Sequence, residues 1–227
     1  MTVAREKRGQ FVIIAVLLAS MMIVSIGVVM HNAITYYKHE PWEEYTTLIG
    51  NIELNSQRLL ELSLADYTTS GQDKLVYNLE SWQNDLRDIY PSSEIFLGHD
   101  PTNVVFRNYP WDTRTAVSEA KVDFTLDIMS IGLTGYEFTT RAAVKLTIIN
   151  VTSTSPYQIF VAVKNEDDVP IMDLNRNSFK VNNALPAAVS PVLDGFHVLI
   201  YRIEVAGAPS PTVEVWDQRG IYVRGSI

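Results

Sequence analysis

The sequence predicts an α+β protein. It reads as an N-terminal transmembrane helix that continues into a helical hairpin packed on an antiparallel β-sheet, followed by a small all-β sandwich. Three observations carry this reading. Phe11 to Met30 is a run of twenty residues without a charge. From Pro41 to Tyr90 apolar residues recur at helical spacing. Beyond Pro91 the recurrence changes to every second residue and stays so to the end. The expected units are a basic leader over residues 1–9, a membrane helix and juxtamembrane segment over 10–40, a hairpin-and-sheet domain over 41–151, and a β domain over 152–227.

The run FVIIAVLLASMMIVSIGVVM would span roughly 30 Å as a helix, the thickness of a bilayer core. A buried core helix of that length usually carries a polar stripe. Here Ser20, Ser25 and Gly27 are the only polar or small interruptions besides alanine, and membrane helices tolerate them. Arg5, Lys7 and Arg8 precede the run, opposed by Glu6 alone. Lys38, His39, Glu40, Glu43 and Glu44 follow it. The excess of basic residues on one side predicts residues 1–9 in the cytoplasm and everything after about residue 32 outside. A cleaved secretory signal is the competing reading. It fits less well, because His31, Asn32 and Ala33 do not form a small-x-small cleavage site.

Pro41, followed by Trp42, Glu43 and Glu44, is a helix start: proline suits the first turn and acidic groups suit the positive end of the helix dipole. Tyr45, Leu48, Ile52, Leu59, Leu60, Leu62 and Leu64 continue the helical period to about Ala65. Thr68 to Gln72 reads as a turn, and Asp73 as the N-cap of a second helix reaching Tyr90. Its stripe is Leu75, Leu79, Trp82, Leu86 and Ile89, which predicts antiparallel packing on the first helix.

In the β region, Val122, Phe124, Leu126 and Ile128 alternate with polar residues. After SIGLTG the alternation resumes with Tyr136, Phe138, Thr140, Ala142, Val144, Leu146 and Ile148. This predicts a hairpin with the even-numbered residues inward. Short strands near residues 94–97 and 104–107 would extend it. Thr152 to Pro156 reads as a linker. Beyond it, Ile159, Val161 and Val163 alternate, as do His197, Leu199, Tyr201, Ile203 and Val205. Val213–Trp216 and Ile221–Val223 flank a turn at Asp217–Gly220. Turn signals at intervals of about ten residues suggest an immunoglobulin-like sandwich.

Two resemblances follow from these residues. NEDDVPIMDL, DGFHVLIYRIEV and WDQRGIYV resemble the strand-and-turn pattern of prokaryotic immunoglobulin-like surface domains. REKRGQFVIIAVLL resembles the class III leader of archaeal type IV pilin-like proteins. That second resemblance implies cleavage around Arg8, Gly9 and Gln10, with Gln10 as the first mature residue. It also implies an apolar helix that serves as membrane anchor and then as filament core. Many pilins carry glutamate at the fifth mature position. Counting from Gln10 gives Ile14, and counting from Phe11 gives Ala15. Neither can pair with a neighbour's terminal amine, so a minor or accessory subunit fits better than a major one.

The chemistry is bounded by what is missing from the sequence. There is no cysteine, which excludes disulfides, thiolate metal sites and cysteine nucleophiles. Acidic residues outnumber basic ones by 26 to 18, so nucleic acid is not an expected partner. His31, His39, His99 and His197 are scattered without metal-ligand spacing. No nucleophile elbow or phosphate-binding glycine loop occurs, and no catalytic residue, cofactor or metal is expected. Asp173-Leu-Asn-Arg-Asn177 opens like a calcium loop, but Ser178 and Ala184 stand where glycine and the closing acid belong. Glu166, Asp167 and Asp168 leave a looser calcium site open. Asn150-Val-Thr152 is a glycosylation sequon, in keeping with an external location. Tyr109, Trp111, Trp216 and Tyr222 could line a ligand surface, with core packing the alternative.

The expected function is that of a membrane-anchored cell-surface structural or adhesion protein, a pilin-like minor or accessory filament subunit. Its expected partners are membrane lipid and other pilin-like or envelope proteins. The alternative is a bitopic accessory subunit whose external β domains bind another envelope or membrane protein.

Overall fold

The computed structural model describes residues 16–32, 42–91, 93–110, 114–152, 156–207 and 210–227. The chain forms two units, residues 1–50 and 51–227. In the first unit residues 16–32 are helical (α1). Among the described residues no helix is long and apolar enough to cross a membrane. The described part of α1 holds residues 16–30 of the apolar run, and residues 11–15 lie outside the described residues.

Helix α2 spans Trp42–Ser70 and α3 spans Leu75–Ile89. The chain leaves α2 at Gly71, whose φ of +73° is the left-handed value that glycine adopts without a steric penalty. Its N–H donates to Tyr67 O at 2.9 Å, which closes the last turn. α2 thus runs beyond Ala65, where its apolar period fades. Lys74 rather than Asp73 holds the N-cap position of α3, although the Asp73 carboxylate accepts from Leu75 N–H. The two helices form the expected hairpin. Trp82 Nε1 donates to Ser56 Oγ at 3.2 Å, and Asn78 Nδ2 to Ser63 Oγ at 2.9 Å. Ile52, Leu60, Leu64, Leu75, Leu79 and Leu86 are buried. Leu62 and Ile89, expected inside, are exposed. Leu62 stands two residues from both Leu60 and Leu64, a spacing that puts it on the opposite face.

The β elements are β1 (Ile95–His99), β2 (Val105–Pro110), β3 (Thr115–Ile128), β4 (Leu133–Thr152), β5 (Tyr157–Lys164), β6 (Phe179–Val181), β7 (Ala188–Leu193), β8 (Leu199–Val205), β9 (Thr212–Trp216) and β10 (Tyr222–Ser226). A large sheet runs β1-β3-β4-β5-β8-β7, with β2 also on β3, and a small sheet runs β10-β9-β6. All pairings are antiparallel. The protein is therefore α+β with an antiparallel sheet, as the sequence predicts.

The β3–β4 register is the expected one: Val122 faces Thr140, Phe124 faces Phe138 and Leu126 faces Tyr136. Val122, Phe124, Leu126, Ile128, Ala142, Val144, Leu146 and Ile148 are buried. Each such side chain stabilises the fold by up to about 1.5–3 kcal/mol for the larger ones. α2 lies over this face. Gln57 Nε2 donates to Arg141 O at 2.7 Å, and Tyr136 OH to Glu53 Oε1 at 2.7 Å. The small sheet covers the rest. Gly225 of β10 comes so close to Leu146, Ala116 and Ile148 that a Cβ there would sit 3.3 Å from the Leu146 side chain. Phe179 of β6 meets Tyr201 of β8, with ring centroids 5.3 Å apart.

The strands on either side of the region read as a linker belong to the same large sheet. β4 and β5 are hydrogen-bonded neighbours, with Leu146 opposite Val163 and Ile148 opposite Val161. Residues 153–155 between them lie outside the described residues. The expected boundary at 151/152 therefore falls at the end of the ladder, inside β4, whose residues Val151 and Thr152 pair with Ile159 and Gln158 of β5. Of the strands after it, β5, β8 and β7 extend the large sheet, while β6, β9 and β10 make the small one. His197, expected in a strand, sits in the β7–β8 turn with φ +61°, and its N–H donates to Asp194 O.

Candidate functional site

The α1 surface is the strongest functional feature. Its described part has eleven large apolar side chains, from Val16 to Met30, each 52–71% exposed. No residue from 16 to 32 is buried or half-buried, so the helix has no core-facing stripe. Its two serines are satisfied within the helix: Ser20 Oγ donates to Val16 O and Ser25 Oγ to Met21 O, both at 2.8 Å. A helix that is apolar all round and satisfies its own hydroxyls suits an apolar surrounding rather than water. Arg8, Gly9 and Gln10, the candidate processing residues, lie outside the described residues, as do Ile14 and Ala15.

Asn150 is exposed on β4, and a β-bulge is the reason. Ile148 pairs with Val161 and Asn150 with Phe160, which leaves Ile149 as the extra residue. Before the bulge even-numbered residues point inward. After it the parity reverses, and Asn150 points out. The sequon threonine is less free, since Thr152 Oγ1 accepts from Gln158 N–H at 3.1 Å.

The acidic loop serves structure. Asn175 caps a short 3₁₀ turn at Arg176–Ser178, accepting from Asn177 N–H at 2.8 Å, and Ser178 completes a capping box. Asp168 pairs with Lys145 at 3.0 Å, which holds its carboxyl below the ordinary value. Glu166 belongs to a cluster around Arg219. That guanidinium contacts Asp217 at 2.7 Å, Glu166 at 3.0 Å, Glu61 of α2 at 3.3 Å, and donates to Ala143 O at 3.0 Å. Burial alone would pull its pKa down. Asp217 and then Glu166 outweigh that, and the net shift is upward. The cluster ties α2, β4, the loop after β5 and the Asp217–Gly220 turn together. Among the described residues no group of three histidines or carboxylates is placed to hold a metal ion.

The aromatics expected at a ligand surface are mostly engaged. Trp216 packs on Tyr222 with centroids 4.9 Å apart, and Lys180 Nζ sits 4.9 Å from the Trp216 ring. Burial and a hydrogen bond to Glu214 push the Tyr222 phenol up to about 12. Arg107 lies 6.0 Å from the Tyr109 ring. Trp111 lies outside the described residues.

One apolar surface was not legible in the sequence. The β7–β8 turn presents Phe196 with 89% of its surface exposed. Asp194 Oδ1 builds that turn by accepting from Phe196 and Val198 N–H at 2.8 and 2.9 Å. Val169, Met172 and Leu193 are also exposed, and Met172 and Leu193 line a groove of about 620 Å³ with Pro170 and Leu199. The Asp-Gly dipeptide marks the turn, but no periodicity marks an apolar residue at its tip.

Comparison with protein-family models, curated proteins and solved structures gave no match.

Proposed function

We propose that this is a membrane-anchored cell-surface protein with a structural or adhesive role, a pilin-like minor or accessory subunit rather than an enzyme. The observation that carries the proposal is the exposed, uniformly apolar surface of α1. Leaving eleven large apolar side chains in water forgoes about 1.5–3 kcal/mol for each. The basic residues before the run and the acidic ones after it support a cytoplasmic N-terminus and external domains. The strand order supports the immunoglobulin-like reading. β4-β5-β8-β7 opposite β6-β9-β10 matches the four-plus-three arrangement of constant-type immunoglobulin sheets, with β4 as the first strand.

Alkaline carbonate extraction of native membranes, followed by intact mass, tests the proposal. The chain should stay in the pellet. Loss of residues 1–9 supports the pilin-like form, and full length supports a plain anchor. Release into the wash would contradict the anchor. The alternative role, an accessory subunit that binds another envelope protein through its β domains, is favoured by the exposed Phe196 tip. A Phe196→Asp variant that loses a co-purifying envelope protein while staying in the membrane would select it.

A further inference from the structure

The outward face of the α2–α3 hairpin carries a groove of about 500 Å³. Leu59, Leu62 and Trp82 line it, with Arg58 on the α2 rim and Asp85 on the α3 rim. Leu62, in the groove, is 68% exposed. The Ser56–Trp82 and Ser63–Asn78 hydrogen bonds fix the alignment of the two antiparallel helices. At that alignment Arg58 and Asp85 stand about one helical turn apart along the groove. Among the described residues neither has a hydrogen-bonding or ionic partner.

We infer that this face pairs with the same face of a second copy of the chain, making a four-helix bundle between two protomers. The argument is charge complementarity. Leu59, Leu62 and Trp82 give the groove its apolar surface beside the neutral polar Asn55, Asn78 and Ser81, with one cation on one helix and one anion on the other. A two-fold relation lays α2 of one copy over α3 of the second. Arg58 then comes within reach of Asp85 of the second copy, and symmetry makes the contact twice. Two apolar surfaces are covered at once, as in bundles built from helical hairpins. A lipid surface would suit the leucines but would strand the Asp85 carboxylate. A partner of one charge sign would leave one rim charge unpaired.

The chain has no cysteine, so a single introduced thiol reports cleanly. Asn55 lines one end of the groove and is exposed. The Asn55→Cys chain, full length in native membranes, is treated with a short bis-maleimide cross-linker. A covalent dimer is expected. Adding Arg58→Asp or Asp85→Arg alone makes both equivalent contacts repulsive and should cut the dimer by about tenfold or more. Combining the two exchanges should restore it. Both positions are exposed and unpartnered, and unchanged thermal unfolding of each variant verifies that the fold survives. A chain that stays monomeric overturns the inference. A dimer insensitive to the exchanges, or a double exchange no better than the singles, overturns it too, because association would then run through another surface such as α1. Membrane retention should be the same in every variant, which separates this test from that of the anchor.

Discussion

Replacing Arg219 by methionine keeps the aliphatic stem and removes the guanidinium. Asp217 is the most affected partner, with 3% of its side chain exposed. Glu166 and Glu61 are 18% and 23% exposed and remain partly hydrated. Removing one member of a buried ion pair costs about 3–5 kcal/mol. Two features lower that figure here. Asp217 Oδ1 keeps the N–H groups of Arg219 and Ile221, at 3.0 and 2.9 Å, and the two glutamates gain water. The expected loss is about 2–4 kcal/mol. Denaturant unfolding of the full chain in detergent, followed by tryptophan fluorescence, measures it. Trp216 lies next to the turn and reports its opening. A double-mutant cycle should give a larger coupling of Arg219 with the buried Asp217 than with the partly hydrated Glu61. Arg224→Met, at a more exposed arginine 3.9 Å from Glu214, should change stability by no more than about 0.5 kcal/mol. A loss below about 1 kcal/mol for Arg219→Met, or couplings in the reverse order, would refute the cluster's role.

Val144→Asp buries a carboxylate without a partner and should cost more than about 4 kcal/mol, whereas Thr125→Asp on the outer face should cost less than about 1 kcal/mol by the same unfolding assay. Deleting Ile149 removes the bulge yet keeps Asn150 outward and Val151 inward. It should therefore cost under about 2 kcal/mol, while deleting Lys145 turns the following residues to the wrong face and should abolish folding. The Tyr222 phenol, raised to about 12, favours the folded state fully below its ordinary value of 10.0. That contribution is lost as pH rises from about 10 through 12, and Tyr222→Phe should flatten this alkaline limb of the stability curve. In the other direction, the Thr139 hydroxyl and then Lys121 hold the Asp123 carboxyl below its ordinary 3.8. Its contribution is present above that value and lost as pH falls below it, so Asp123→Asn should reduce the acid sensitivity.

Local periodicity carried most of the fold. The β3–β4 register follows from strict alternation, since a slip of one residue would expose Val122, Phe124 and Leu126 together. The hairpin stripes were equally legible, apart from Leu62 and Ile89; at Leu62 a run rich in leucine offers more apolar positions than one face can bury. The boundary at 151/152 was not legible. A short Ser/Thr/Pro stretch has the same composition whether it links domains or turns a hairpin, and only pairing across it distinguishes the two. The bulge at Ile149 was hidden for a similar reason. Ile148 and Ile149 are both apolar, so the sequence does not say which of them leaves the ladder. The Arg219 cluster was beyond reach because its members are separated by up to 158 residues. The apolar run from Phe11 to Met30 was plain from composition alone. What it enters is the central claim.

Labelling an introduced thiol tests that claim most directly. Ser226 is exposed at the end of β10, and the chain otherwise lacks cysteine. Intact cells making the Ser226→Cys chain are treated with a membrane-impermeant maleimide, and the label is counted on chain recovered in the membrane pellet. The anchored, outward-facing arrangement predicts labelling without permeabilisation. Labelling only after the cells are opened, or a chain absent from the pellet, would contradict it.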